Sequence, residues 1–89
     1  MNINYNSYIL RRITGSQSES LRVEKEISLK DLIETFTIKY GVKFKNSLLD
    51  NGNQKLKMLV LVNGENITDI TQKITDKDKV NILPFITGG

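Results

Sequence analysis

Two side chains that carry much of enzyme chemistry are missing from this sequence, which has no cysteine and no histidine. Without cysteine there is no disulfide, no thiolate metal site and no thiol nucleophile. Without histidine the chain lacks the usual general base and the commonest ligand of transition metals. A catalytic site would depend on carboxylates, lysines and hydroxyls alone, so we expect neither an enzyme nor a metal site.

Long apolar runs are missing too. The longest, "MLVLV" at 58–62, is far below the roughly 18 residues that a membrane span requires. The first ten residues do not combine a basic stretch with an apolar core, as a signal peptide does. We therefore expect a cytoplasmic protein that has no membrane partner.

Charge of either sign is moderate in this chain. Its 89 residues include thirteen Lys and Arg and ten Asp and Glu, for a net charge of +3. The basic residues are scattered, and the only suggestions of a cluster are Arg11–Arg12 and the group Lys39, Lys43 and Lys45. This spread disfavours nucleic acid as a partner, although a small RNA-binding domain remains an alternative. The length fits one domain.

The first third of the chain is predicted to form two strands. Apolar and polar residues alternate from Ile3 to Ile9, as in a half-buried strand. This alternation places Tyr8 on the face opposite to Ile3 and Tyr5. A second alternation at 21–27 predicts another strand, which we expect to be the hairpin partner of the first.

One helix is predicted, over residues 28–40. Ser28 opens it as the N-cap, with the carboxylate of Asp31 in the first turn. Gly41 supplies a left-handed stop. One apolar stripe recurs at helical spacing and needs a sheet to lie on; it consists of Leu29, Leu32, Ile33, Phe36 and Tyr40.

The second half is predicted to contribute three more strands after a polar connection at 44–57. The aliphatic run at 58–62 is typical of a central strand, and Asn63–Gly64 suits a tight turn into a short strand at 65–67. The last strand covers 79–83, and Pro84 ends its pairing because it lacks a backbone donor.

This order of elements is the β-grasp arrangement, an α+β fold with one helix across a mixed sheet of four or five strands. Within that order, four stretches resemble the ubiquitin-fold sulfur carriers: "LRRITG" after the first strand, then "LVNGENI", "ITDKDKV" and the closing "LPFITGG". The sequence most resembles the small subunit of molybdopterin synthase (MoaD), with ThiS and the ubiquitin-related modifiers as siblings. Phe85 stands where that family commonly has a second proline.

The resemblance implies a ubiquitin-like domain at 1–83 and a flexible tail at 84–89 that ends in Gly-Gly. In such carriers an activating enzyme adenylates the terminal carboxylate, here Gly89, which then becomes a thiocarboxylate or is joined to lysines of target proteins. The tail can span about 20 Å at roughly 3.3 Å per residue. It would thread through a narrow channel of the partner with the following residues: Phe85, Ile86, Thr87 and Gly88.

The resemblance also implies partners but no cofactor bound by this chain, since ATP and the sulfur donor act through the activating enzyme. The further partners are the large subunit of molybdopterin synthase, a tRNA thiolation enzyme, or lysines of target proteins. The chain itself would be at most a non-catalytic subunit of a sulfur-transferring enzyme.

An exposed apolar patch is predicted on the open face of the sheet. By strand alternation Leu59, Leu61 and Leu83 point away from the core and join Tyr8 there. Such a patch on a small domain usually marks a partner surface. One alternative therefore remains beside the carrier and the RNA-binding domain: a non-covalent β-grasp interaction module whose diglycine is incidental.

Overall fold

A mixed sheet forms the frame of the molecule in the computed structural model, which describes residues 1–50 and 55–85. In chain order the elements are β1 (Asn2–Tyr5), α1 (Tyr8–Thr14), β2 (Ser18–Ser20), β3 (Glu26–Ser28), α2 (Leu29–Tyr40), α3 (Val42–Leu48), β4 (Met58–Val62), β5 (Glu65–Ile67), β6 (Lys73–Thr75) and β7 (Lys79–Pro84). The expected α+β class is confirmed.

Strand β7 lies at the centre of the sheet, whose strand order is β2-β1-β7-β4-β5. It runs parallel to β1 on one side and antiparallel to β4 on the other. The pair β3 and β6 forms a second, small antiparallel sheet. Strand β7 is therefore held on both sides, immediately before Phe85.

The predicted helix is present as α2. The Ser28 hydroxyl accepts a hydrogen bond from the Asp31 backbone N–H at 3.1 Å, which satisfies one of the free donors of the first turn. Gly41 follows the helix with φ 95° and ψ 174°, a backbone that favours glycine but is not the left-handed helical stop that was expected. The buried face of α2 consists of Leu29, Leu32, Ile33 and Phe36.

Strands β4, β5 and β7 also lie where the sequence predicts strands. In β4, burial alternates so that Met58, Val60 and Val62 enter the core. The turn at Asn63–Gly64 has positive φ at both residues, 53° and 86°, as a tight two-residue hairpin requires. Val80 and Ile82 of β7 complete this part of the core.

The first predicted strand is too long. It ends at Tyr5, because Ser7 is the N-cap of α1 and its hydroxyl accepts a hydrogen bond from the Leu10 N–H at 3.4 Å. Gly15 then ends α1 with φ 74°. In a helix the period-2 alternation no longer applies, so Ile9 is exposed whereas Leu10 is fully buried.

The second predicted strand is wrong in its position. Residues 21–25 are not in a strand, and the two flanking segments, β2 and β3, pair with different partners. Strand β2 pairs antiparallel with β1, as a hairpin partner does, but α1 lies between the two strands. Strand β3 pairs with β6, for which no strand was predicted.

The predicted polar connection contains a helix, α3. Phe44 and Leu48, four residues apart, are both buried on its inner side. The ring of Phe44 stacks on Tyr40 with 5.8 Å between centroids and meets Phe36 at 5.6 Å. These apolar contacts stabilise α3 although no side chain caps its first turn. None of the helices in the two described ranges is long and apolar enough to cross a membrane.

Candidate functional site

The end of β7 positions the start of the predicted tail. Pro84 is the last residue of the strand and lies opposite Met58 of β4. On the other side the Asn6 N–H donates to the Ile82 carbonyl at 2.8 Å. Phe85 follows and is 49% exposed. The other predicted tail residues lie outside the described ranges: Ile86, Thr87, Gly88 and Gly89.

Three of the four predicted interface residues come together on the sheet. Leu59 and Leu83 are direct cross-strand partners, and Leu61 lies opposite Asn81 in the same ladder. All three leucines are half-buried, and alternation turns them away from the core residues of β4. We call Leu59, Leu61 and Leu83 the leucine patch.

Tyr8 does not belong to the leucine patch, contrary to the sequence prediction. It is the first residue of α1, because Ser7 caps a helix where a strand was expected. Its side chain is 74% exposed, and the Arg12 guanidinium lies over its ring at 5.7 Å from the centroid. Tyr8 therefore lies on a different surface, next to basic residues.

That surface is a groove of about 1060 Å³ between α1, α3 and the end of β7. Its apolar lining includes Tyr8, Ile9 and Phe85. Its charged lining consists of Arg12, Lys43 and Lys57, and no Asp or Glu is among the described residues that line it. We call it the basic groove. The clusters of basic residues in the sequence were its only signal, since α1 and α3 were not predicted.

A second charged cluster, which sequence reasoning missed, surrounds Glu19 on β2. The hydroxyls of Tyr5 and Tyr40 each donate to Glu19 Oε2 at 2.6 Å, and Lys39 Nζ donates to Oε1 at 3.2 Å. We call these four residues the Glu19 cluster. It connects β1, β2 and α2, and its tyrosine hydroxyls are already engaged with the carboxylate, so we assign it a structural role.

Ionisation in the Glu19 cluster follows from these contacts. Burial raises the pKa of Glu19, but the hydrogen bonds from Tyr40, Tyr5 and Lys39 outweigh it, so the net pKa lies below its usual range. Burial, and then the neighbouring carboxylate, raise the pKa of both Tyr5 and Tyr40. Glu19 is therefore ionised and both tyrosines are neutral at neutral pH.

The acidic residues near the turns also have structural contacts. Asp76 accepts from the Val23 N–H at 2.7 Å, and Asp78 accepts from the Thr75 N–H at 2.8 Å. These backbone hydrogen bonds are the main cause that lowers the pKa of each carboxyl. In the part of the chain that the structure describes, no three His, Cys, Asp or Glu residues group as metal ligands would.

Solved structures share this architecture. A chain of the Amycolatopsis orientalis BexX/CysO complex is 23% identical and superposes with a TM-score of 0.76, covering 99% of this chain and 98% of that one. The small archaeal modifier protein 1 of Methanosarcina acetivorans is 25% identical, with a TM-score of 0.68 and coverage of 99% and 96%. A Pyrococcus furiosus protein described as molybdopterin converting factor, subunit 1, is 20% identical, with a TM-score of 0.70 and coverage of 97% and 99%.

The fold is thus that of the ubiquitin-like β-grasp proteins, as the sequence predicts. Within this class the chain belongs to the ThiS family, whose profile matches residues 7–89. Members of this family are ubiquitin-like sulfur carriers and modifiers, which are small proteins without catalytic activity of their own. No curated protein sequence matches the chain significantly.

Proposed function

We propose that the carboxylate of Gly89 is the reactive group of this protein. An activating enzyme adenylates it, and a sulfur donor converts it to a thiocarboxylate that delivers sulfur. The observation that carries this proposal is the family match, which extends through the final Gly88–Gly89 pair. Residues 1–83 then serve as the body that the partner recognises, and 84–89 as the segment that enters it.

The chemistry explains why two glycines are useful at this end. The carboxylate attacks the α-phosphate of ATP, which releases pyrophosphate and gives an acyl adenylate. A sulfide-level nucleophile then attacks the acyl carbon and displaces AMP, leaving the thiocarboxylate; a lysine amine gives an isopeptide bond instead. The reaction requires a near-attack distance of about 3–3.5 Å. A side chain at Gly88 or Gly89 would obstruct a narrow channel that leads to ATP.

The sheet supports delivery of the tail. Because β7 is paired on both sides, the body fixes the position from which Phe85 and the following residues enter the partner. The leucine patch lies on the open face of β4 and β7 and offers the activating enzyme an apolar contact. Tyr8, exposed on α1, offers it a second contact in the groove that Phe85 also lines.

The destination of the sulfur is a separate part of the proposal. The likeness to molybdopterin converting factor, subunit 1, supports the large subunit of molybdopterin synthase as a partner. The likeness to a small archaeal modifier protein supports conjugation to lysines of target proteins. The family resemblance also allows a tRNA thiolation enzyme as the acceptor. Product analysis with each acceptor distinguishes the three.

The test is sulfur loading in a reconstituted reaction. The protein, ATP, sulfide and the adenylating enzyme of the same organism are incubated, and the intact mass is measured before and after. We expect the mass change that corresponds to replacing one carboxylate oxygen by sulfur. Deletion of Gly89 should abolish it, because Gly88 then ends about 3.5 Å short and a displacement of 1 Å can cost roughly a hundredfold in rate. Gly88→Val keeps the full length of the tail and should slow sulfur loading.

Variants in residues 1–83 distinguish the role of the tail from that of the leucine patch. Lys77→Ala, an exposed change, should load normally. Leu61→Asn should raise the KM for the carrier and leave kcat unchanged if the leucine patch docks on the enzyme. The initial mass also verifies that Gly89 bears the free carboxylate. Full loading of the Gly89 deletion would contradict the proposal and favour a non-covalent interaction module with an incidental diglycine.

A further inference from the structure

The basic groove carries an exposed apolar surface beside positive charge, a combination that the tail chemistry does not require. Tyr8 is 74% exposed, Ile9 54% and Phe85 49%, and all three line this one groove. Single exposed hydrophobic residues are ordinary, but several around one concave surface indicate a binding site. A volume of about 1060 Å³ accommodates a short peptide segment with its side chains.

The charges of the basic groove indicate the sign of its ligand. Arg12, Lys43 and Lys57 line it, and no carboxylate of the described residues does. The ion pairs formed within 1–50 and 55–85 use other cations, namely Lys39, Lys45 and the N-terminal ammonium. Lys57 Nζ donates to the Asn46 carbonyl at 2.8 Å, a contact that leaves its charge uncompensated. The complementary ligand is therefore anionic.

We propose that the basic groove binds an acidic peptide segment of a partner protein, one that also carries an aromatic or aliphatic side chain. The acidic groups pair with Arg12 and Lys43, while the apolar side chain contacts Ile9 and Phe85. The inference goes beyond the proposed function and stands whether or not Gly89 is activated.

Two features favour a peptide over a nucleic acid as the occupant. Beside its aromatic residues the groove includes the aliphatic side chains of Ile9 and Ile13; these suit an apolar side chain of a peptide, whereas a single-stranded nucleic acid would use only the aromatic rings and the cations. The guanidinium of Arg12 is already placed over the Tyr8 ring. Arg12 therefore covers one face of the Tyr8 ring, on which a base would otherwise stack, while its N–H groups can pair with a carboxylate.

The experiment is an NMR titration of the full-length 15N-labelled protein with two synthetic peptides. One has the sequence Asp-Glu-Phe-Leu-Asp-Glu, and the other replaces every acidic residue by Lys. We expect the acidic peptide alone to shift amide signals of α1, α3 and Phe85, and its binding to weaken with added salt. Equal shifts with both peptides, or no shifts at these amides, would overturn the proposal.

A pair of double variants tests the charges. Arg12→Glu with Lys43→Glu should weaken binding of the acidic peptide by roughly tenfold or more, because like charges then face each other. Lys25→Glu with Lys77→Glu makes the same change in net charge at exposed positions outside the groove, and we expect less than about a twofold loss from it since distant exposed charges are screened.

Two outcomes of this comparison count against the peptide. An equal loss in both double variants would mean that only the net charge matters. Tighter binding of a short single-stranded RNA than of the acidic peptide, at the same groove amides, would assign the groove to nucleic acid. Thermal melts of both double variants establish whether each is folded. If the Arg12 and Lys43 double variant does not fold, the single variants Arg12→Glu and Lys43→Glu replace it.

Discussion

The Glu19 cluster and the basic groove both combine tyrosine with basic side chains, and Tyr40 belongs to both. In the Glu19 cluster two tyrosine hydroxyls and one ammonium converge on a single carboxylate. In the basic groove a tyrosine, an arginine and lysines lie together without any carboxylate among the described lining residues. The Tyr40 hydroxyl donates to Glu19, while its side chain lines the groove.

The two regions therefore have different roles: the Glu19 cluster stabilises the fold, whereas the basic groove is proposed to bind a partner. The Glu19 side chain is 13% exposed and Tyr5 is fully buried, so the internal hydrogen bonds of that cluster replace water and stabilise the fold. Tyr8 is 74% exposed, and Arg12 and Lys43 are exposed too. Substitutions in the Glu19 cluster should therefore change the free energy of unfolding, and substitutions in the basic groove should change peptide binding.

The largest effect is expected from Phe36, which lies beneath both regions. Its ring is 6.0 Å from Tyr40 and 5.6 Å from Phe44, centroid to centroid. Phe36→Ala should lower the free energy of unfolding by about 3–5 kcal/mol, since it leaves a cavity in the core. Urea denaturation measures this loss. Ile38→Ala, on the same helix but 88% exposed, is the control, and an unchanged melting temperature for Phe36→Ala would place Phe36 outside the core.

A smaller effect is expected from Glu19→Gln, which preserves the shape of the side chain and removes its charge. Two tyrosine hydroxyls and Lys39 lose a charged acceptor, at a cost of about 1–3 kcal/mol near neutral pH. Folding depresses the pKa of Glu19, so its ionised form contributes stability above the pKa of the unfolded chain. That contribution is lost as pH falls through the folded pKa.

The pH dependence provides the sharper form of this test. Urea unfolding of both proteins from neutral pH into the acid range should show a stability difference that shrinks as pH falls. Asp69, Asp76 and Asp78 also have lowered pKa values, so the difference between the two curves is the quantity to follow. Glu24→Gln, at an exposed position, is the control. Parallel curves for Glu19→Gln and the parent would mean that the Glu19 hydrogen bonds do not stabilise the fold.

The sequence predicts helix α2 and the strands β4, β5 and β7 better than the remaining elements. The pattern of β4, the Asn63–Gly64 turn and the cap of α2 are local signals that agree with the tertiary contacts. Helix α1 has only seven residues, too few to show a helical period, and its alternating start resembles a strand. Its true signals were Ser7 and Gly15 at its two ends. For α3 the signal was the four-residue spacing of Phe44 and Leu48.

The leucine patch and the basic groove also differ in how far the sequence predicts them. The leucine patch follows from strand alternation and cross-strand pairing, so its three leucines could be predicted. The basic groove brings together α1, α3 and the end of β7, which are distant in sequence, and two of these elements were not predicted. Tyr8 was therefore predicted to be exposed, but on the wrong surface.

The smallest effect on stability, and the most direct test of the comparison, is expected from Tyr8→Asp. The new carboxylate would lie one helical turn before Arg12 and would give the groove the internal acid that the Glu19 cluster has. Tyr8 is exposed, and a carboxylate in the first turn of a helix is favourable, so the free energy of unfolding should change by no more than about 0.5 kcal/mol. The acidic peptide should bind more weakly, because Arg12 then has a competing partner.

Tyr8→Phe is the control: it keeps the ring beneath Arg12 and should bind the peptide as the parent does. Unchanged peptide binding by Tyr8→Asp would remove Tyr8 and Arg12 from the site, and a large loss of stability would mean that Tyr8 packs as Tyr5 does.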